Sequence, residues 1–361
     1  KMAPVVKALA ADPAFEARVC VTAQHREMLD QVLSLFGITP DYDLDIMQAG
    51  QGLSDITCRV LKGLEPVIRE FRPEMVLVHG DTTTTFSAAL AAYYQGVRVG
   101  HVEAGLRSFD KFSPFPEEMN RCLTGRLADL HFSPTQQNVN NLLNEGVDGA
   151  SILKTGNTVI DALLSVVRPD YAFDVPELQN IDYEHKKVIL LTAHRRENLG
   201  EPMHAIFSAV RDIVDHYPEV ELIFPMHKNP AVRALAAEHF NGCDRIHRIE
   251  PLDYEPFAHL MAKSWLILTD SGGIQEEAPA LGKPVLVLRR ETERPEAVDA
   301  GTVKLAGIDK ETIKSMCEVL LTQPEAYQAM ANAVNPYGDG KAAARIADQI
   351  KKVLRPEMST K

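Results

Sequence analysis

The sequence predicts an α/β protein built from two doubly wound halves with parallel sheets. Short apolar runs alternate with helical stretches in both halves, which is the pattern of strand–helix–strand units. A polar segment with two prolines and several acids, residues 168–186, separates the two series and is the predicted boundary region. The length of 361 residues suits two domains, and 45% apolar with 24% charged residues is typical of a folded protein.

The first half opens in a helical pattern that runs to Ala11 and then alternates between strands and helices. Apolar runs predict strands at residues 18–22, 75–79, 97–103, 128–132 and 152–155. Helical spacing predicts helices at residues 27–35, 53–71 and 84–95. Because a Rossmann-like domain normally begins with a strand and a glycine-bearing loop, we expect the natural chain to start before Lys1.

The second half repeats the alternation and ends in a helix. Its predicted strands are residues 187–193, 221–226, 245–249, 265–269, 284–288 and 302–305. A turn-rich stretch at residues 335–340 precedes a final amphipathic helix at residues 342–354. Ligands of such sheets bind beyond the carboxyl ends of the strands, so two facing domains would hold a ligand in the cleft between them.

The most informative stretch is residues 265–289, which has the pattern strand, tight turn, helix, strand. Its turn is Ser271-Gly272-Gly273, where the missing side chains would let backbone N–H groups approach a phosphate. Glu277, one turn into the following helix, could bind a pair of ribose hydroxyls. The alternative is an ordinary strand–helix turn with acids in the first turns of the helix.

Composition excludes several classes of partner. The net charge of −12 argues against nucleic acid or an anionic membrane, although an anionic small ligand remains open. No apolar run reaches the roughly 18 residues of a spanning helix, and no signal peptide is recognisable. The five cysteines are widely spaced and form no CxxC pair, so we expect reduced thiols in a cytoplasmic protein. No metal motif is present, and no metal site is predicted.

Three carboxylates in the first half follow predicted strands or open helices. They are Asp81, Glu103 and Glu117. If they converge, their mutual repulsion should raise at least one pKa, as a general acid or base requires. Each also has a structural alternative: Asp81 could cap the next helix, Glu103 could pair with Arg107, and Glu117 could pair with Arg121.

Basic residues in the second half could neutralise a diphosphate. His194, Arg195 and Arg196 follow its first predicted strand, and a solvated basic turn is the alternative. Arg294 lies beyond a later strand, where it could bind phosphate or position Glu277. Two further residues could take part, although each also has a structural alternative. His227 follows a predicted strand, and Phe257 is predicted in a loop where its ring could stack on a base.

Nine motifs occur in order over nearly the whole chain. They are VHGDTTTT, GHVEAGLRS, PFPEEMNR, KTGNTVIDAL, TAHRREN, LTDSGGIQEEAP, GKPVLVLR, ETERPEA and NPYGDG. As a set they closely resemble the non-hydrolysing UDP-N-acetylglucosamine 2-epimerases of bacteria. The resemblance implies a GT-B fold, with two Rossmann-like domains and the active site in the interdomain cleft. It implies domains at residues 1–157, rejoined by the helix of 342–361, and at residues 158–341.

The same resemblance implies a reaction without an added cofactor. UDP-GlcNAc and UDP-ManNAc would interconvert through elimination of UDP to 2-acetamidoglucal and its re-addition. The product would supply ManNAc units for bacterial surface polysaccharide, and the enzyme would be a homodimer. Two other interpretations compete with this one: a GT-B glycosyltransferase and a non-catalytic UDP-sugar-binding protein. The set of three acids favours elimination over sugar transfer to an acceptor.

Site residues follow from the resemblance by motif position. The implied catalytic residues are Asp81, Glu103, Glu117 and His194. The implied substrate and UDP contacts are Lys1, Arg121, His194, Phe257, Ser271, Gly272, Gly273, Glu277 and Arg294. The family is also activated by UDP-GlcNAc at a second site, for which Gln24, Glu27, Arg195 and His227 match. The family's arginine-bearing loop before Lys1 is absent from this sequence.

Overall fold

A computed structural model describes residues 1–23 and 26–355. Within them the chain divides into two compact units. Unit 1 comprises residues 1–162 and the segment that begins at Gly338, and unit 2 comprises Leu163–Tyr337. Both are α/β units with parallel sheets, as the sequence predicts.

Unit 1 alternates strands and helices in chain order. Its strands are β1 (Cys20–Val21), β2 (Tyr42–Asp43), β3 (Met75–His79), β4 (Arg98–Val102), β5 (Leu130–Ser133) and β6 (Ile152–Lys154). Its helices are α1 (Ala3–Ala11), α2 (Arg26–Phe36), α3 (Leu53–Phe71), α4 (Thr83–Tyr94), α5 (Glu117–Leu127) and α6 (Gln136–Asn144), and α7 (Thr158–Val166) leads into unit 2. The strands β3-β4-β5-β6 form one parallel sheet, and β1 pairs with β2.

The long helix α3 shows why these elements form. Ile56, Val60, Leu64 and Ile68 recur every four residues and are all buried, so one face of the helix packs on the core. The helix ends at Arg72, whose φ of 53° lies in the left-handed region, directly before Pro73. Proline disfavours helical backbone at the residue before it, which ends the helix there.

Unit 2 contains six strands and most of the remaining helices. The strands are β7 (Lys187–Thr192), β8 (Val220–Pro225), β9 (Ile246–Ile249), β10 (Leu266–Thr269), β11 (Val285–Val287) and β12 (Val303–Leu305). The helices are α8 (Pro176–Gln179), α9 (Glu201–His216), α10 (Pro230–Phe240), α11 (Tyr254–Lys263), α12 (Gly272–Glu277), α13 (Pro295–Asp299), α14 (Lys310–Thr322) and α15 (Pro324–Ala331). Short 3-10 helices cover Gly149–Ser151 in unit 1, and Arg196–Asn198 and Ala278–Leu281 in unit 2.

The six strands of unit 2 form a parallel sheet in the order β12-β11-β10-β7-β8-β9. Strands are added outward in both directions from the neighbouring pair β7 and β10, which makes this pair the switch point of the sheet. At such a point the connections that follow the two strands run over opposite faces of the sheet, and a crevice opens between them beyond the strand ends. The loops after β7 and β10 are therefore the expected ligand-binding loops of unit 2.

The last helix, α16 (Ala342–Leu354), belongs to unit 1. Its Ile346 and Ile350 are buried in one cluster with Val5 of α1. The carboxylate of Asp161 accepts hydrogen bonds from the backbone N–H groups of Ala342 and Ala343, at 3.2 and 2.8 Å. These bonds satisfy two donors at the start of the helix that have no partner within it.

Some elements of the structure differ from the predictions. Strand β2 is missed because two residues are too few to show a pattern. The helix predicted after the glycine turn divides at Ala278 into α12 and a 3-10 turn, where Pro279 has no N–H to continue the α-helical ladder. The loop predicted around Phe257 is wrong, because this residue lies in the first turn of α11. No helix in the described part of the chain is long and apolar enough to cross a membrane.

Candidate functional site

Asp81 lies two residues beyond β3 and is held by a buried arginine. Its Oδ2 is 2.9 Å from Nη2 of Arg121, whose side chain is 7% exposed. The same guanidinium lies 3.5 Å from the buried Glu118. Helix α4 is capped by Thr82, whose side chain accepts from the Thr85 N–H, so the capping role considered for Asp81 belongs to its neighbour.

Glu103 follows β4 and makes two contacts with basic side chains. Its Oε2 lies 2.6 Å from Nζ of Lys1 and 3.3 Å from Nε2 of His79. The pairing considered for Glu103 with Arg107 is wrong, because Arg107 instead donates two hydrogen bonds to Glu145. Glu103 also has a φ of 64°, a left-handed backbone that costs an ordinary residue roughly 1–2 kcal/mol. Such strain is often found at functional sites.

The pKa values of these two carboxyls are shifted in opposite directions. Burial raises the pKa of Asp81, and the negative charges of Glu103 and Glu117 add to the rise, while Arg121 opposes it. Burial would also raise the pKa of Glu103, but the charges of Lys1 and His79 and their hydrogen bonds hold it well below its ordinary value. One carboxyl is thus biased toward the protonated form and its neighbour toward the ionised form.

Glu117 opens α5 and is partly buried. Arg121 forms its ion pairs with Asp81 and Glu118 and not with Glu117, so the pairing considered for Glu117 is wrong. Glu118 accepts hydrogen bonds from the backbone N–H groups of Ser108 and Phe109, both at 3.0 Å. Glu118 thereby ties the loop after β4 to the start of α5.

A buried histidine stabilises the turn before Asp81. His101 lies on β4, is fully buried, and its Nε2 is 2.8 Å from the carbonyl oxygen of Gly80. Burial lowers the pKa of His101 to about 3, so the ring is neutral and Nε2 donates to the carbonyl. The backbone that carries Asp81 is therefore held from the neighbouring strand.

In unit 2, His194 and Asp270 meet beyond the switch-point strands β7 and β10. Nδ1 of His194 lies 2.8 Å from Oδ1 of Asp270, which has no exposed side-chain surface. The other oxygen, Oδ2, accepts from the backbone N–H groups of His194 and Arg195 and from the side chain of Asn198. These contacts hold the loop after β7 against the end of β10.

The glycine turn of unit 2 is bordered by charged and polar side chains. A Cβ at Gly272 would lie 3.9 Å from Nη2 of Arg294, and one at Gly273 would lie 3.9 Å from Oε2 of Glu277 and 4.0 Å from Oγ of Ser271. Apart from the adjoining residues and the backbone of α12 itself, no other atom of the described chain lies within 4 Å of either position, so side chains leave this face of the turn open.

Two contacts fix the charged side chains around this turn. Arg294 pairs through a short hydrogen bond with the buried Glu276. Glu277 accepts a hydrogen bond of 3.0 Å from the Tyr254 hydroxyl on α11. Burial, together with the charge of Glu277, raises the pKa of Tyr254 well above its ordinary value, so the phenol stays protonated and continues to donate.

The residues predicted for a second nucleotide-sugar site come from both units. The ring centres of His227 and His194 are 6.2 Å apart. Nε of Arg195 donates to the carbonyl of Asp270 at 3.2 Å. Glu27 is exposed in the first turn of α2, in unit 1. Gln24 lies outside the described residues.

One group of side chains in the described chain has metal-ligand geometry. The ligand atoms of His204, Glu238 and His239 lie within 4.8 Å of one another. Nδ1 of His204 and Nε2 of His239 are 2.9 Å apart, so a hydrogen bond between the rings already accounts for their approach. The group lies on α9 and α10 and includes none of the predicted site residues.

Several residues of these sites are missed by sequence reasoning. They are His79, His101, Glu118, Tyr254 and Asp270. His79 and Asp270 could have been found from the sequence, because His79 ends a strand and Asp270 directly follows one, and each lies close in the chain to a predicted site residue. His101, Glu118 and Tyr254 carry none, since their roles depend on contacts with residues distant in sequence.

Fold and site together define a two-domain α/β protein of the GT-B type, with candidate ligand groups at the strand ends of parallel sheets. The model of the family described as UDP-N-acetylglucosamine 2-epimerase matches residues 7–351. The chain belongs to this family of isomerases and is an enzyme.

Individual relatives agree with this assignment. The UDP-N-acetylglucosamine 2-epimerase of Escherichia coli K12 is 55% identical over 360 residues, covering 97% of this chain and 95% of the relative. The crystal structure of a protein from Listeria monocytogenes described as a UDP-N-acetylglucosamine 2-epimerase is 55% identical, with a TM-score of 0.94 over 99% of this chain and 93% of that one. The Neisseria meningitidis enzyme, solved bound to UDP-GlcNAc, is 49% identical, with a TM-score of 0.82 over 98% and 96%.

Proposed function

We propose that this enzyme interconverts UDP-GlcNAc and UDP-ManNAc by eliminating UDP and adding it back. The observation that carries the mechanism is the pair of carboxyls Asp81 and Glu103, whose pKa values are shifted in opposite directions. Two neighbouring acids that differ in this way are suited to separate roles as acid and base. The substrate assignment is supported by family membership and by the Neisseria meningitidis relative bound to UDP-GlcNAc.

The chemistry explains why two acids are needed. The C–H bond at carbon 2 of the sugar has no neighbouring carbonyl, so removal of this proton alone would be very slow. In the proposed reaction a base takes the proton while the C1–O bond to UDP breaks, which leaves a C1–C2 double bond in 2-acetamidoglucal. An acid then protonates carbon 2 from the opposite face as a UDP oxygen bonds to carbon 1. Atoms and charges balance, and no redox cofactor is required.

For the conversion of UDP-GlcNAc to UDP-ManNAc, we assign the role of base to Glu103 and the role of acid to Asp81. Lys1 and His79 keep Glu103 ionised, and burial favours a proton on Asp81. In the reverse direction the two exchange roles. Glu117 is the third candidate, since its charge contributes to the raised pKa of Asp81.

We further propose that unit 2 holds the UDP part of the same substrate molecule. The turn at Ser271, Gly272 and Gly273, with the guanidinium of Arg294 beside it, would receive the diphosphate. Glu277, oriented by Tyr254, would accept from the ribose hydroxyls. His194 would contact the diphosphate, and Phe257 on α11 would border the uracil.

The remaining expectations from the family resemblance are part of the proposal. UDP-GlcNAc would also act as an activator through Gln24, Glu27, Arg195 and His227. The enzyme would work as a cytoplasmic homodimer without an added cofactor, and its product would supply surface polysaccharide. Activation predicts that pure UDP-ManNAc turns over only after a lag that added UDP-GlcNAc removes.

A proton NMR time course in deuterium oxide tests the reaction. Starting from UDP-GlcNAc, we expect UDP-ManNAc to appear with deuterium at carbon 2 and with no acceptor present. A trace of 2-acetamidoglucal and free UDP should accumulate. Product that keeps its original hydrogen at carbon 2 would rule out the elimination route. Transfer of the sugar to an added acceptor would identify a glycosyltransferase instead.

A further inference from the structure

We propose that Asp270 is a positioning residue that fixes the ring of His194 with a proton on Nδ1. The inference rests on the proposed function, because it gives His194 a defined role at the diphosphate. It concerns a buried carboxylate that the proposed mechanism does not otherwise use. The contacts around this carboxylate support the assignment.

The two oxygens of Asp270 have separate tasks. Oδ2 accepts from the backbone N–H groups of His194 and Arg195, at 2.9 and 2.8 Å, and from Asn198 at 3.1 Å. Three donors lock the carboxylate in place and leave Oδ1 for the ring. Oδ1 then lies 2.8 Å from Nδ1 of His194 in an ion-pair contact, although the ring N–H is not aligned on it as a regular hydrogen bond. At this distance two lone pairs would repel. A proton on Nδ1 makes this contact favourable.

The charge state of Asp270 agrees with this arrangement. Burial alone would raise the pKa of its carboxyl, but the close contact with the His194 ring and the hydrogen bonds from the backbone at Arg195 and His194 hold it below its ordinary value. The group is therefore an acceptor at neutral pH. With Nδ1 committed to Oδ1, Nε2 is the ring nitrogen that remains for a ligand, and the His194 side chain is 44% exposed.

Strand register explains why these two residues meet. Strands β7 and β10 are parallel neighbours in which Thr192 pairs with Thr269. The hydroxyls of these two threonines are 2.6 Å apart and close the end of the strand pair. Asp270 directly follows β10 and His194 lies two residues beyond β7, so the sheet itself brings carboxylate and ring together.

This geometry gives the pair a specific task in the proposed reaction. A ring protonated on both nitrogens can donate from Nε2 to a diphosphate oxygen while its positive charge faces the buried carboxylate. Such a donor stabilises the negative charge that develops on the diphosphate as UDP departs. The hydrogen bond weakens again when UDP adds back to the sugar. Asp270 acts only through His194 and touches no substrate atom.

Nitrogen NMR of the unmodified protein is the first test. With histidines labelled by ¹⁵N, and the His194 signal assigned by its loss in His194→Ala, we expect the neutral ring to carry its proton on Nδ1. Titration with UDP should shift mainly the Nε2 resonance. A neutral ring protonated on Nε2 alone would overturn the proposal, whatever any variant does.

Kinetics of Asp270→Asn form the second test. Asparagine can keep its oxygen toward the backbone donors and then turns its NH₂ toward Nδ1, which forces the ring into the other tautomer. We expect kcat to fall by roughly 100-fold, in the range of lost acid–base assistance, with a smaller change in KM. In Asp270→Asn/His194→Ala, turnover should equal that of His194→Ala, because both changes remove one function.

Glu221→Gln is the matched control. Glu221 and His247 form another carboxylate–histidine pair in unit 2, also at 2.8 Å, on the neighbouring strands β8 and β9 and outside the candidate site. This variant should keep the kcat of the unmodified enzyme. Additive losses in the double variant, or an Asp270→Asn enzyme with unchanged kcat and unchanged ring signals, would reduce Asp270 to a purely structural residue. Absence of UDP-ManNAc formation by the unmodified enzyme would instead refute the proposed function.

Discussion

Asp81 and Glu103 show how residues of one chemical type acquire different properties from their neighbours. Both carboxyls are largely buried, which alone would raise both pKa values. Lys1 and His79 reverse the shift at Glu103, whereas Arg121 only partly opposes it at Asp81. The pKa difference that an acid–base pair requires therefore comes from Lys1 and His79 at Glu103, and Arg121 reduces it without removing it.

Replacing Asp81 by Asn or Glu103 by Gln should separate catalysis from binding. Each change removes one proton-transfer group without changing the volume of the side chain, so we expect turnover to fall roughly 100-fold or more. UDP affinity, measured by calorimetry, should stay within about threefold, because we assign UDP to unit 2. Glu74→Gln, in a surface ion pair with Arg355, is the control and should have normal turnover. Normal turnover of Asp81→Asn would contradict its assigned role.

The ion pair between the buried Arg107 and the partly exposed Glu145 should control acid stability. The hydrogen bond from Arg107 lowers the pKa of Glu145 from its ordinary 4.5. A carboxyl with a lowered pKa in the folded state stabilises it at higher pH and loses this effect as the pH falls through that range. Because the Arg107 side chain is 1% exposed, Glu145→Gln should cost about 3 kcal/mol near neutral pH.

Urea unfolding across pH measures this effect. The difference in unfolding free energy between Glu145→Gln and the unmodified protein should shrink as the pH falls below about 4.5, where Glu145 becomes protonated in the unfolded chain. A difference that is the same at every pH would show that the ion pair is not its source.

At the scale of elements, the site loops are held from neighbouring strands and helices. Glu118 at the start of α5 binds the backbone of the loop after β4, and His101 on β4 binds the turn after β3. In unit 2 the switch point between β7 and β10 joins the two loops that carry His194 and the glycine turn. Rigid elements that support one another in this way keep catalytic groups in place.

Gly105→Ala should be strongly destabilising. Gly105 has a φ of 92°, and a Cβ there would lie 2.3 Å from the carbonyl oxygen of Asn138 in α6. Both the backbone conformation and the clash disfavour alanine, so we expect a loss of more than about 3 kcal/mol in urea unfolding. Gly146→Ala is the control: its φ is 79° but no atom lies within 4 Å, and the loss should be only about 1 kcal/mol. Equal losses would mean that the contact with Asn138 contributes nothing.

For the whole molecule, unit 1 depends on segments from both ends of the chain. The final helix α16 packs on α1 and is capped by Asp161, more than 180 residues before it. Its buried residues lie on one face, and a helix of 13 residues is only marginally stable alone, so α16 gains its stability mainly from this packing. Within the same unit, the turn before α16 lies close to Gly156, since a Cβ on Gly338 would be 3.3 Å from the Cα of Gly156.

Ile346→Ala should weaken unit 1 selectively. Ile346 has no exposed surface, and truncating such a side chain typically costs about 2–5 kcal/mol. Hydrogen exchange should speed up in the strands β3 to β6, while those of unit 2 remain protected. Val334→Ala, at a side chain that is 83% exposed, is the control and should change neither unit. Unchanged protection in unit 1 would show that α16 is not needed for its stability.

Most strands and helices could be predicted from local signals, because apolar periodicity and turn residues are properties of short stretches of the chain. Helices α3 and α16 have the predicted bounds, and the ordered motifs identify the family. The contacts between distant residues could not be predicted in this way: His79 and Lys1 meet Glu103, and Asp270 meets His194, only in the folded protein. Burial and the distance between charges set pKa directions and ring tautomers, and both depend on residues brought together only when the sheets form.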